Sequence, residues 1–211
     1  MDPTLSILTL ALNLAQQYIH EARNTADKSA VRCEKLLYAA KEAIQGLYNE
    51  PVDIIISAMY CDLSKQEEID TLMKRIDQYL KLERLRPLLK EAIEGLDVYR
   101  EELSRDRYYF ASLLFARSNE ETINNFENLL KDLRGYYDQL DAEAFKSRDA
   151  GTGLLLIPLM NIRNSLATKD RQKVINYASA PEIAYQQRRL SELIGKISRT
   201  TNELILAFAQ K

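Results

Sequence analysis

The 211-residue chain has no tryptophan, one histidine, two cysteines, six glycines and five prolines. Each shortage excludes something. With His20 as its only histidine, the chain cannot by itself build the paired Glu-x-x-His ligands of a di-iron or di-manganese bundle. A His-Glu-x-x-His zinc site is excluded for the same reason. A Ser-His-Asp triad would have to recruit His20, which sits beside Glu21 in an amphipathic stretch and reads as a surface side chain. The scarcity of Gly and Pro leaves too few turns for a β-rich fold. Cys33 and Cys61 fit no metal-ligand spacing, and their apolar helical surroundings predict two buried free thiols. There is no P-loop and no Gly-x-Gly-x-x-Gly, and Gly151-Thr152-Gly153 alone does not make a phosphate cradle. The longest apolar run, Leu154 to Met160, falls far short of the ~20 residues that span a bilayer. Met1-Asp2-Pro3 lacks the basic region of a secretory signal, so a cytoplasmic location is expected.

What remains is a helix-forming composition. Hydrophobic residues make up 46% of the chain and charged residues 28%, a globular balance. Leu, Ala, Glu, Lys, Gln and Arg dominate the stretches between breakpoints. Asp2 and Pro3 open a first helix whose seam is Leu5, Leu8, Leu12, Ala15, Ile19 and Ala22. Ile7, Leu10 and Leu14 add a second apolar face, which predicts either a central helix or a membrane- or partner-facing one. A second seam runs through Ala30, Cys33, Leu37, Ala40, Ile44 and Leu47. Asn49 to Pro51 breaks it, and Val52 to Met59 reads as a separate short helix.

Ser64 and Glu67 have capping-box spacing ahead of Ile69, Leu72, Ile76 and Tyr79 or Leu80. Pro87 kinks or restarts the chain, and Leu85, Leu89, Ala92, Leu96, Tyr99 and Leu103 continue a seam. Ser118 and Glu121 repeat the capping-box spacing ahead of Ile123, Phe126, Leu130, Leu133, Tyr137, Leu140 and Ala144. Past residues 151–153 come a short apolar helix with Pro158, another around Val174 and Ile175, and a last one opened by Pro181. The last seam is Ile183, Gln187, Leu190, Ile194, Ile197, Thr201, Leu204 and Phe208. Three-four alternation of this kind predicts an all-α, multi-helix antiparallel bundle of about seven to nine helices. A near-repeat, Lys41 to Leu47 against Lys90 to Leu96, raises a helical solenoid as the alternative.

Charge divides the chain at the glycine breakpoint. Residues 151–211 carry nine Lys/Arg against four Asp/Glu, and residues 1–150 carry 20 against 27. The predicted organisation is an acidic helical bundle over 1–150 and a basic C-terminal helical segment over 151–211 docked onto it. The alternative use of Arg163, Lys169, Arg171, Lys173, Arg188 and Arg189 is an anion-binding surface. The acidic overall balance argues against nucleic acid as a partner. Adjacent carboxylates such as Glu67-Glu68, Glu101-Glu102 and Glu120-Glu121 point about 100° apart on a helix and read as solvated faces. Twelve tyrosines can serve the core or an interface.

Two stretches resemble known families. Ile162-Arg163-Asn164-Ser165-Leu166-Ala167-Thr168 resembles the Arg-Asn-x-x-x-His motif of HEPN domains, which are helical and often ribonucleases. Thr168 stands where that family has its histidine, so the resemblance implies an inactive RNA-binding relative. Over the N-terminal half, the Met-Asp-Pro start, the apolar first helix and Cys33-Glu34-Lys35-Leu36-Leu37 in the second are similar in layout to HeLo-type cell-death bundles. That resemblance implies a first helix able to perturb membranes through Ile7, Leu10 and Leu14. The residues themselves designate no catalytic group, cofactor or metal. The reading they support is a non-enzymatic interaction or scaffold module with a protein partner or a second copy of itself, with peripheral membrane contact as the alternative.

Overall fold

A computed structural model describes residues 7–24, 29–80, 85–110, 116–145 and 156–209. Within these lie eight helices and no strand: α1 (Ile7–Asn24), α2 (Ser29–Tyr60), α3 (Gln66–Leu80), α4 (Leu85–Phe110), α5 (Ala116–Phe145), α6 (Leu156–Ala167), α7 (Arg171–Ala178) and α8 (Pro181–Ala209). The protein is an all-α multi-helix bundle. Leu5, the Gly151–Gly153 breakpoint and the leading part of the Leu154–Met160 run lie outside the described residues.

Burial follows the three-four seams. Leu12, Ala15, Ile19 and Ala22 are buried in α1, Ile69, Leu72, Ile76 and Tyr79 in α3, and Leu89, Ala92, Leu96 and Tyr99 in α4. Phe126, Leu130 and Leu133 do the same in α5. Each fully buried Leu or Ile contributes roughly 1.5–3 kcal/mol of transfer free energy. These seams therefore outweigh the ion pairs at their rims, each worth roughly 0–1 kcal/mol.

The central element is α2, not α1. It packs against α1, α3, α4, α6, α7 and α8. Its sequence carries doublets, Leu36-Leu37, Ala39-Ala40, Ala43-Ile44 and Ile54-Ile55, and both members of each are buried. Two adjacent stripes cover more than half the helix circumference, so α2 must be enclosed. By contrast α1 presents Leu10 outward.

Three neighbouring pairs run antiparallel. Tyr18 stacks on Tyr38 at 5.4 Å while Glu21 pairs with Lys35 at 2.7 Å, so α1 and α2 run in opposite directions. Asn125 donates to Glu203 at 3.0 Å and Lys196 pairs with Asp132, which sets α5 and α8 the same way. In α4 and α5, Asp97 pairs with Arg134, and Tyr99 meets Phe126 edge-on at 5.8 Å.

The near-repeat has a packing origin. Its two copies lie on α2 and α4, which touch, and Ala43, Ile44 and Leu47 are buried like Ala92, Ile93 and Leu96. A Cβ at Gly95 would stand 2.6 Å from Leu36 Cδ1, so glycine permits the close approach of α4 to α2. Contacts between α2 and α8, far apart in sequence, are not those of a solenoid, in which each repeat meets only its neighbours.

Three boundaries differ from the sequence expectation. Helix α2 passes through Pro51 without interruption. At the head of α3, Asp62 accepts from the amide and hydroxyl of Ser64 (3.0 and 2.7 Å), and Glu68, rather than Glu67, reaches back to the Asp62 amide at 3.1 Å. Helix α5 already includes Ala116, two residues before Ser118, whose side chain lies outside those described. In α8 the buried polar residues are Gln186, Thr200 and Thr201. Gln187 is only half-buried.

Candidate functional site

The densest polar constellation gathers where the distal half of α2 meets α3, α6 and α7. It begins with a backbone problem. Proline has no N–H, so Pro51 cannot donate to the carbonyl of Leu47 four residues earlier. The Tyr79 hydroxyl, arriving from α3, donates to that carbonyl at 3.2 Å. One turn along α3, Arg75 reaches the other side of the proline. It donates to Glu50 from Nε and Nη2 at 3.2 and 3.0 Å, and from Nη2 to Asp53 at 2.7 Å.

Glu50 is 1% exposed. An isolated carboxylate at that depth is strongly disfavoured, so the guanidinium is what permits its burial. Burial works against the charge on Arg75, but the two carboxylates prevail and raise its pKa. At the end of α2, Arg171 of α7 donates to the Cys61 carbonyl at 3.0 Å and also to that of Met59. These are C-terminal carbonyls that a helix cannot satisfy internally. Arg163 of α6 grips Asp77 of α3 with two donors, the second at 3.1 Å.

Three of the six residues of the alternative anion surface, Arg163, Arg171 and Lys173, make contacts within the fold. Arg163 and Arg171 are used as just described. Lys173 pairs with Asp170 at 3.0 Å, and the Asp170 carboxylate caps α7 by accepting from the Lys173 amide at 3.1 Å. Lys169 closes α6 in left-handed conformation, φ 55°. Its amide donates to the Leu166 carbonyl and that of Asp170 to the Ser165 carbonyl, the pattern of a Schellman cap. On α8, Arg188 is exposed, and Arg189 lies 6.0 Å from the centre of the Tyr185 ring.

Along the HEPN-like stretch, Arg163 is bound to Asp77. The Thr168 hydroxyl donates to the carbonyls of Asn164 and Ser165, both at 3.2 Å. On α1, Leu10 is 57% exposed, Leu14 is half-buried, and the side chain of Ile7 lies outside those described. His20 engages Asn24 at 2.9 Å on the surface.

Among the described residues no group of three His, Cys, Asp or Glu side chains is placed to hold a metal ion. No described helix is long and apolar enough to cross a membrane. Both cysteines are free and buried. Burial pushes the Cys33 thiol well up, with Glu34 adding to it. Cys61 is raised first by burial and then by Glu68. Thiols held protonated are poor nucleophiles.

Large apolar side chains stand exposed in helical pairs: Ile56 and Tyr60 on α2, and Ile157 and Met160 on α6. Tyr60 is 81% exposed. Neither pair stands out in the sequence, nor do Glu50 and Arg75, and Tyr79 reads there as a core residue without its role as a donor. A proline inside an apolar seam is the available signal for the Tyr79 hydroxyl, since it implies a carbonyl in need of a foreign donor. Comparison with protein-family models, curated proteins and solved structures gives no match for this chain.

Proposed function

We propose that this chain is a non-enzymatic protein-interaction module that binds a protein partner through the exposed apolar pairs on α2 and α6. The observation carrying this reading is Ile56 with Tyr60 and Ile157 with Met160, spaced four and three residues apart and turned outward. Residues at those steps share a helix face. Single exposed apolar residues are ordinary, whereas outward pairs on touching helices fit a contact face. The tyrosine adds large area at low entropic cost. A cytoplasmic setting belongs to the same reading, as does the option that the partner is a second copy.

The test is site-specific photo-crosslinking in cells, with the crosslinker at Tyr60 or Met160 and, as controls, at Glu182 or Asn202. A discrete adduct from the first two positions alone, lost on Ile56→Asp with an unchanged thermal melt, supports the reading. Equal labelling from all four positions overturns it. Light scattering that shows a monomer at tens of micromolar removes the second-copy form.

A further inference from the structure

We propose that Pro51 is a hinge in α2, and that α3, α6 and α7 form a splint which locks the distal half of the helix in line. The inference does not depend on any partner. A proline inside a helix deletes one hydrogen bond and crowds the preceding turn, and helices bend or open at such points. Here the deleted bond is the one from residue 51 to the Leu47 carbonyl. The splint holds the weakened helix at three levels. Tyr79 occupies the vacated acceptor before the proline at 3.2 Å. Arg75 binds Glu50 and Asp53 on either side of it. Arg171 holds the terminal carbonyls of Met59 and Cys61.

The splint is itself continuous. Arg163 ties α6 to α3. Helices α6 and α7 pack together, joined by the Schellman cap at Lys169 and the Asp170 cap. Upstream of residue 47, α2 packs against α1 at Tyr38 and against α4 at Leu36, and its Leu36, Leu37, Ala39, Ala40, Ala43 and Ile44 are buried. The two halves of one helix are thus held by different means. The upstream half relies on apolar burial. The distal half adds to its buried Ile54, Ile55 and Ala58 a set of polar contacts from α3 and α7, and those contacts span a helix already weakened at Pro51. A helix built this way opens in two steps, with residues 52–60 and α3 releasing before residues 33–47. The unit that releases carries Ile56 and Tyr60.

Hydrogen–deuterium exchange on the full chain tests this. In the wild type, amides of 52–60 exchange through an opening less sensitive to denaturant than the one that exposes 33–47. Pro51→Ala restores the missing donor and slows exchange of 52–60 by on the order of ten-fold, leaving 33–47 within about two-fold. Tyr79→Phe speeds exchange of 52–60 by a similar factor, and the effect shrinks to below about three-fold in the Pro51→Ala background. A single shared opening of both halves, or no change on Pro51→Ala, overturns the hinge. Should Tyr79→Phe fail to fold, Arg171→Met replaces it. The proposal then requires faster exchange at 52–60 alone, and a uniform increase along α2 overturns it.

Discussion

Glu50 shows how one side chain can depend on another for its place in the fold. It is 1% exposed and bonded to Arg75, so a change at Arg75 strands a carboxylate in the core. Arg75→Met is expected to lower stability by about 3 kcal/mol, and Glu50→Gln in the same chain to recover part of that loss. Urea unfolding of the two variants checks the order. Cys33 is equally enclosed, with a thiol pushed up by burial. It is expected to react with a disulfide reagent only at the rate of unfolding, whereas Cys61, at the end of α2, reacts in the native state more slowly than a free thiol. Lys169 sits in a left-handed conformation that an L side chain disfavours. Lys169→Gly therefore stabilises by about 1 kcal/mol, seen as a raised melting temperature.

At the scale of a helix, glycines separate two situations. Gly135 in α5 and Gly195 in α8 have open space where a Cβ would stand, so close approach does not explain them. Replacing either by Ala gains about 0.5–1 kcal/mol through helix propensity alone. Gly95 faces Leu36 at 2.6 Å, so Gly95→Ala forfeits that gain and destabilises by about 1 kcal/mol through overpacking. The three melts, run side by side, should rank in that order.

The heads of α3 and α7 respond to acid. The Asp62 carboxyl lies below its ordinary value through its bonds from Ser64, Glu68 through Lys65 and the Asp62 amide, and Asp170 through Lys173. A carboxyl whose folded pKa is depressed stabilises the fold above its unfolded value, and that contribution fades as pH falls through the folded value. Helicity at these two caps is thus expected to decline below about pH 4, and less so in Asp62→Asn, which leaves Glu68 as the titrating carboxyl of the α3 cap. Circular dichroism at moderate urea measures it. Glu42, raised by burial, works in the opposite sense.

For the molecule as a whole, the question is whether residues 1–150 stand alone. The C-terminal helices supply Ile162, Val174, Ile183, Leu190, Leu193, Ile197 and Leu204 to the common core. They also close α2 and α5 along one side. A chain ending at residue 150 would expose that side of both helices. It is expected to lose cooperative unfolding, with a broad, low-slope urea transition in place of a single sharp one. Rim pairs such as Lys196 with Asp132 are partly exposed, so Lys196→Met should shift stability by under about 1 kcal/mol. The C-terminal helices are therefore held on the rest of the fold by apolar burial more than by ion pairs.

The helical class, most of the seams and both buried thiols were legible in the chain itself. Hydrophobic spacing of three and four is a local property, and it survives into any fold that buries it. Leu12, Ile19, Ile69, Ile76, Leu89 and Phe126 point inward for that reason alone. Pro51 was misjudged because local rules count the lost hydrogen bond and cannot see Tyr79 arriving from 28 residues away to replace it. The basic residues near the end could be read as docking contacts or as a surface for anions, because charge in a sequence has no address. Only folding brought Arg163 to Asp77 and Arg171 to the end of α2. Which apolar residues are left outside, Tyr60 and Met160 among them, was also decided by tertiary packing. A stripe wider than its partner's groove leaves an edge in water, and the width of the groove is set by other helices.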